Sequence, residues 1–294
     1  MTLTTIPTED RLWTGLSDTL YHADRGSISS SGARRLLAPS SPEIFRWEQD
    51  HPRPPIAAYD FGHVAHELVL GEGSGFTVLD PAVHGLGKDG APAANPRATT
   101  AWKQAEAEAR EQRLTPIHID DYRAAQAMRD RVMQHRIGRH IFESEGQPEI
   151  SGYHHDPETG VRLRFRPDWL CQVQGQLFCV DYKTSKTADP EAFGRSVGDF
   201  GYHMQAPWYL DGLAALGIPD AEFLFVVQSK TAPYPVAVHR LSERDIDLGR
   251  RRNRAAINLY HQCVERDEWP GFGDSIHTTS IPNWLYNLQE QELA

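Results

Sequence analysis

Asp181 and Lys183 stand two residues apart at the end of an apolar run, Leu177-Phe178-Cys179-Val180. In an extended chain, residues i and i+2 share a face, so a carboxylate and an ammonium project together while Tyr182 turns away. A second carboxylate, Asp168, lies on the preceding candidate strand, Phe165-Arg166-Pro167-Asp168-Trp169-Leu170. Gln174-Gly175 breaks the two runs apart. A hairpin closing there brings Asp168 round to the end that holds Asp181. Two hard oxygen donors plus a backbone carbonyl suit magnesium, with manganese as a substitute. A lysine beside them can hold an attacking water or offset phosphate charge. Alone, an Asp-x-Lys at a strand end is in most chains a solvated terminus. The aspartate on the preceding strand, with Pro167 before it, lifts this pair above that background.

The elements that must position these groups can be read around them. Gln147–His155, Val161–Cys171 and Gln176–Lys183 read as three strands in a meander, with Glu149 on the first, where it could reach the same end. Phe61, Ala65, Leu68 and Val69 make the apolar stripe of a helix over Tyr59–Gly71, on which Gly62 and His66 are stacked one turn apart. A glycine one turn before a histidine lets a backbone or a phosphate come close; His63 has no comparable argument. Gln205 and Tyr209 are four apart on a helix expected over Tyr202–Leu216, with Pro207 moving its start toward Gln205. Arg162, Arg164 and Arg166 alternate on the strand leading to Asp168 and share its face, which makes Arg164 and Arg166 candidate phosphate contacts. The clusters Arg129–Arg139 and Arg250–Arg254 read equally well as solvated helix faces.

Elsewhere, Ser29-Ser30-Ser31 caps a short helix, and Ser41-Pro42 opens another that Pro52–Pro55 should end. Phe76–Asp80 and Thr115–Ile119 are short extended pieces. Residues 84–97, rich in Gly, Pro and Ala, read as a long loop that orders around a ligand. Helices are expected over Thr99–Arg113 and Asp120–His135, then Ile137–Glu143 after a break at Gly138. Asp189-Pro190 starts a further helix. Glu222–Gln228 and Tyr234–Leu241 read as antiparallel strands, Ser242–Glu268 as a long basic helix, and Pro270–Ala294 as a docking segment or short helix.

At 294 residues, 39% hydrophobic and 24% charged, the chain has material for a substantial core. A net charge of −10 argues against a nucleic-acid coat protein but leaves room for a local basic track. No apolar run is long enough for a membrane span, and Met1–Asp10 shows no secretory pattern, so a cytoplasmic location with reduced thiols is expected. Cys171, Cys179 and Cys263 are spaced too widely for a zinc or iron–sulfur site.

The order Pro167-Asp168…Asp181-x-Lys183 resembles the PD-(D/E)xK nuclease superfamily. Gly62-x-x-x-His66, the Asp168/Asp181/Lys183 set and Gln205-x-x-x-Tyr209, in that succession, resemble its RecB-like exonuclease branch. The Ser29–Ser31 helix, Ser41-Pro42 and Trp47 resemble the start of a RecE-type (exodeoxyribonuclease VIII) nuclease domain. The resemblance runs from Tyr21 to the tail. It implies an α/β fold with a restriction-endonuclease-like core, a mixed central sheet flanked by helices, and a helical N-terminal elaboration. Residues 1–20 would be a flexible lead-in and 21–294 one nuclease domain, its core near 147–241.

The resemblance further implies that His66, Asp168 and Asp181 hold magnesium and that Lys183 serves the attacking water. Glu149 matches an acidic position before the aspartate strand, and Gln205 and Tyr209 would lie near the DNA and the lysine. RecE-type enzymes degrade one strand of linear double-stranded DNA from a 5′ end, work with a RecT-like single-strand annealing protein in recombination or repair, often in phage or prophage, and can form ring tetramers. The cysteine set of the iron–sulfur members and a helicase segment are both missing. Two alternatives stand beside this reading: an endonuclease of the same superfamily, and a non-catalytic DNA-binding module, against which the intact Asp168, Asp181 and Lys183 argue.

Overall fold

The computed structural model describes residues 3–51, 57–87, 89–91 and 93–293. The chain begins with β1 (Arg11–Trp13), α1 (Asp18–Ala23), β2 (Ile28–Ser29), α2 (Ser30–Leu36) and α3 (Pro42–Asp50). Serines start all three helices: the hydroxyls of Ser17, Ser29 and Ser41 accept the N–H groups of Leu20, Gly32 and Ile44. Pro52–Pro55, expected to end α3, lie outside the described residues. The N-terminus, read as a loose lead-in, is tied down by pairing of Arg11–Trp13 with Tyr153–Ser151 and by burial of Leu16.

Next come α4 (Ala57–Leu70), β3 (Phe76–Leu79), α5 (Pro81–His84), a 3-10 turn at Pro96–Ala98, α6 (Thr100–Glu111), β4 (Thr115–His118), α7 (Ile119–Gln134) and α8 (Arg136–Phe142). β3 and β4 pair in parallel. The break between α7 and α8 falls at His135, whose ring nitrogen accepts the Gly138 N–H and so caps α8; Gly138 itself is helical.

The remaining elements are β5 (Gly146–Pro148), β6 (Ser151–His155), β7 (Arg162–Phe165), β8 (Trp169–Val173), β9 (Gln176–Ser185), α9 (Pro190–Asp199), α10 (Tyr202–Ala215), β10 (Glu222–Ser229), β11 (Val236–His239), α11 (Glu243–Arg266) and α12 (Asn283–Glu292). They build a five-stranded mixed sheet in the order β11-β10-β9-β8-β5 and a four-stranded sheet in the order β1-β6-β7-β2. The hairpin expected at Gln174-Gly175 is present: Val173 pairs with Gln176 and Trp169 with Val180. Both turn residues have positive φ, 51° and 85°, as a two-residue hairpin loop requires.

The expected three-strand meander is not. Each of its first two strands breaks and changes sheet. Between β5 and β6 the chain turns at Glu149, which sits in the left-handed region at φ 49°. Between β7 and β8 it turns at Pro167, which fixes φ and has no N–H to give a ladder. β6 and β7 go to the four-stranded sheet, β5 and β8 to the other.

Alternation along β10 shows how the five-stranded sheet is covered. Phe223, Phe225 and Val227 pack with Met204, Trp208 and Leu213 of α10, Phe193 of α9 and Ile257 of α11. Leu224 and Val226 turn the other way, with Val180 and Tyr182 of β9, against Val69 of α4, Val132 of α7 and Phe142 of α8. Burying a side chain such as Phe225, fully enclosed here, contributes about 1.5–3 kcal/mol. α10 starts at Tyr202, not near Gln205, and runs through Pro207. Proline there cannot donate to the His203 carbonyl, and Gly249 of α11 packs directly on that oxygen: a Cβ at 249 would stand 1.8 Å from it.

Candidate active site

β9 fixes the direction of the key pair. Tyr182 faces α4, α7 and α8, so Asp181 and Lys183 face the α10 side. Asp181 is 2% exposed. Its Oδ1 accepts the Gln205 Nε2 amide at 2.6 Å, and its Oδ2 lies 2.6 Å from Lys183 Nζ. Gln205 Nε2 also reaches the Tyr209 hydroxyl at 3.3 Å, so the two α10 residues form one chain of contacts behind Asp181. The Lys183 ammonium lies over the Tyr202 ring, 4.9 Å from its centroid.

Asp168 occupies the corner just before β8. Because Trp169 pairs with Val180, Asp168 falls opposite Asp181, and its Oδ2 accepts the Tyr182 N–H at 2.7 Å. Glu149 occupies the other corner, its N–H bonded to the Asp168 carbonyl at 3.2 Å. His66 arrives from α4: Nε2 is 3.0 Å from Asp168 Oδ2 and Nδ1 is 3.6 Å from Glu149 Oε1. The two sheet-changing corners and one helix therefore deliver three of the groups, and the β9 end delivers the other two.

The electrostatics follow from crowding three carboxylates. Burial disfavours the His66 imidazolium, but Asp168 and Glu149 outweigh it and lift its pKa to about 9. Burial would raise Asp168; the charge and hydrogen bond of His66 overcome that and hold it below the usual carboxylate range. Burial and the Asp168 charge push Asp181 up to about 6, against the pull of Lys183. Burial and Asp168 likewise raise Glu149. Lys183, which burial would lower, is raised by Asp181 and Asp168.

The donor set fits a divalent cation. His66, Glu149 and Asp168 offer ligand atoms within 4.8 Å of one another. Asp181 Oδ2 is buried and faces the Lys183 ammonium, so Asp181 offers a carboxylate beside that group. An oxygen-rich set with one imidazole suits magnesium or manganese.

Two expected substrate contacts are placed otherwise. Arg164, 7% exposed, spends its guanidinium on the carbonyls of Asp24 and Ser27 and on the Ser27 hydroxyl; it faces inward because β7 has left Asp168's sheet. Arg166 reaches the cavity, but its nitrogens hold Ser151 Oγ and the Leu16 carbonyl at 2.9 Å and stand 4.0 Å from Glu149. It steadies Glu149 and the N-terminal segment. Gln205, expected near DNA, is buried and orients Asp181. Tyr209, Gly62, His63 and His66 line a cavity of about 920 Å³ together with Asp168, Lys183 and Glu149. Tyr202, beneath Lys183, was missed by sequence reasoning; its position three residues before Gln205 was the available signal.

Residues 47–279 match the family described as "PDDEXK-like domain of unknown function (DUF3799)". No curated protein matches the chain. Among solved structures, a candidate exonuclease from Eubacterium rectale overlays 93% of this chain and 97% of its own, with 12% identity and a TM-score of 0.57. Protein SSO0001 covers 83% of this chain and 78% of its own, with 12% identity and a TM-score of 0.35. Protein VC1899 from Vibrio cholerae covers 82% and 57%, with 13% identity and a TM-score of 0.20. At such identities the first overlay speaks for the fold alone, and the other two carry no argument. Among the described residues, no helix is long and apolar enough to cross a membrane.

Proposed function

The chain belongs to the PDDEXK-like DUF3799 family, with the restriction-endonuclease-like α/β fold, and from that premise we propose a divalent-metal-dependent DNA exonuclease acting on the ends of linear duplexes. The observation that carries the reading is the convergence of Asp168, Asp181 and Lys183 with His66 and Glu149 at one end of the mixed sheet. Magnesium, or manganese, held by His66, Glu149, Asp168 and Asp181 would stabilise phosphate charge and acidify the attacking water. Lys183 supplies a fixed positive charge next to Asp181, placed to orient that water or to offset charge as phosphorus is attacked. Gln205 and Tyr209 hold Asp181 from behind, and Tyr202 supports the ammonium. His66 sets the direction of the Asp168 carboxylate.

The RecE-type order of motifs supports 5′-to-3′ polarity, a role in recombination or repair by single-strand annealing, a RecT-like partner and a ring-shaped homo-oligomer as parts of the same proposal. The test is digestion of linear duplexes labelled at the 5′ or the 3′ end, beside a covalently closed circle, with and without magnesium. Loss of linear DNA from its 5′ ends, with the circle spared, is expected only with the metal. Cutting of the circle at discrete sites would overturn the exonuclease reading, and persistence of every substrate would overturn the nuclease.

A further inference from the structure

Arg164 and Arg166, the cations expected to meet phosphate, are occupied inside the protein. The cavity nevertheless has an exposed cationic and aromatic lining outside the nuclease residues themselves. Tyr59, at the start of α4, lines it with 59% of its surface exposed. Arg113, in the turn from α6 to β4, and Lys230, just after β10, line it as well. Both are exposed, and neither side chain has an ion-pair partner among the described residues.

All three stand on segments tied to α4. An ion pair between Arg110 and Asp60, 2.7 Å long and partly buried, ties the end of α6 to the first turn of α4, so Arg113 and Tyr59 belong to one wall. Tyr234 packs against the cluster that Val64 and Ala65 of α4 share with Ile117, Ala125 and Met128, which draws in the loop that carries Lys230. Arg113 has a left-handed backbone, φ 61°, because it ends α6: its N–H bonds the Arg110 carbonyl and the Leu114 N–H bonds the Ala109 carbonyl, the common helix stop, which fixes the point where the arginine leaves α6.

We propose that Tyr59, Arg113 and Lys230 form a holding wall for single-stranded DNA, with a base stacked on Tyr59 and the flanking phosphates on the two cations. An aromatic ring can stack only on an uncovered base face; within a duplex the neighbouring pairs cover those faces, leaving one face at each blunt end, whereas every base of an unpaired strand can offer one. Aromatic platforms combined with cations that track the backbone are how unpaired strands are gripped without sequence preference. The inference rests on the DNA-nuclease reading and adds that the strand lies unpaired beside the carboxylates. Glu72, also on the lining, limits the wall's net charge, so stacking and the two cations must carry the binding.

The experiment is fluorescence anisotropy of the full chain with a labelled single-stranded oligonucleotide, and with a blunt duplex of the same sequence, in chelator across a salt series. Tyr59→Ala should weaken single-strand binding by about 5- to 100-fold, and Tyr59→Phe should restore most of it. Arg113→Ala and Lys230→Ala should each lower the slope of log K against log salt by about 0.7. An unchanged urea midpoint for Tyr59→Ala shows that the loss is not unfolding. Equal binding by Tyr59→Ala and Tyr59→Phe, or salt slopes that do not move, overturns the proposal. So does tighter binding of the blunt duplex than of the single strand, whether or not it depends on Tyr59. A wild-type chain that binds neither DNA and cleaves none with magnesium overturns the nuclease reading, and the wall with it.

Discussion

Replacing Lys183 with methionine keeps the stem and removes an ammonium 2.6 Å from Asp181 Oδ2. Two effects follow, and they separate experimentally. Loss of a preorganised charge at the reacting phosphate should cost on the order of 10²–10³ in single-turnover rate. The second effect acts through Asp181. Its pKa of about 6 balances burial and Asp168, which raise it, against Lys183, which lowers it. At pH 7 a group of that pKa is protonated in about one molecule in ten. Without the lysine the pKa climbs further, so at neutral pH a proton competes with magnesium for Asp181. The ionised form returns as pH rises. The magnesium concentration for half-maximal rate should therefore rise in the variant, most at pH 7 and least at pH 8.5. DNA affinity measured in calcium should change little, because Lys183 is one of several cations at the cavity. The assay is single-turnover cleavage of an end-labelled duplex over a magnesium series at both pH values. Collapse of affinity with a normal rate in the bound complex, or a magnesium requirement that does not depend on pH, would refute this account.

Asp181→Asn keeps the Gln205 contact but faces Lys183 with an amide; cleavage should vanish while circular dichroism stays native, and residual wild-type activity would remove Asp181 from the site. Chelation of divalent ions should abolish cleavage by the wild type, and readdition of magnesium or manganese should restore it. Away from the site, Asp156 is 3% exposed and accepts Arg254 nitrogens at 2.9 and 2.7 Å. Burial works against its charge, but the hydrogen bonds from Arg254 and Thr159 win and hold its pKa at about 2. That lies below its unfolded value, so the stabilisation is complete above about pH 4 and is lost as pH falls toward 2. Discounted for the partly exposed guanidinium, it amounts to about 1–2 kcal/mol, so in urea unfolding Asp156→Asn should be weaker than wild type at pH 7 and close to it near pH 2. Gly152→Ala would set a Cβ 2.1 Å from the Phe165 ring, and overpacking of that kind should lower unfolding free energy by about 1–3 kcal/mol.

Local signals in the sequence carried far where the physics is local. Serine caps at 29 and 41 and the aspartate cap at 189 each satisfy a backbone N–H within three residues, and the Gln174-Gly175 turn needs only two residues with positive φ. Asp181 and Lys183 shared a face because period two is a property of the strand itself. What failed was long-range. No periodicity announces that Val161–Cys171 is divided between two sheets, since an alternating half, Val161–Phe165, and a continuously apolar one, Trp169–Cys171, both read as strand. Placing Arg164 on the face of Asp168 followed from treating that stretch as one strand, and the error disappears once it is broken at Pro167. Tyr59, Arg113 and Lys230 line one cavity although they stand on α4, in the turn after α6 and just past β10, which no short window contains.

The same breaks that defeated the strand pattern build the site. A carboxylate in the middle of a continuous ladder points to one face of one sheet and is shielded by its neighbours. At a corner, where the chain leaves one sheet for another, the backbone is free to aim a side chain along the sheet end, and Glu149 and Asp168 occupy two such corners joined by the Glu149 N–H to the Asp168 carbonyl. Glu149 bears the left-handed backbone this requires, and Pro167 removes the N–H that would have continued the ladder. Moving either corner by one residue would turn its carboxylate to the opposite face, away from His66. Pro167→Ala therefore gives a sharp check on the argument. It should restore a possible ladder donor, soften the corner and weaken magnesium binding, read by calorimetry, more than it lowers the urea midpoint. If Pro167→Ala unfolds the protein more readily and leaves magnesium affinity untouched, the corner serves the fold alone.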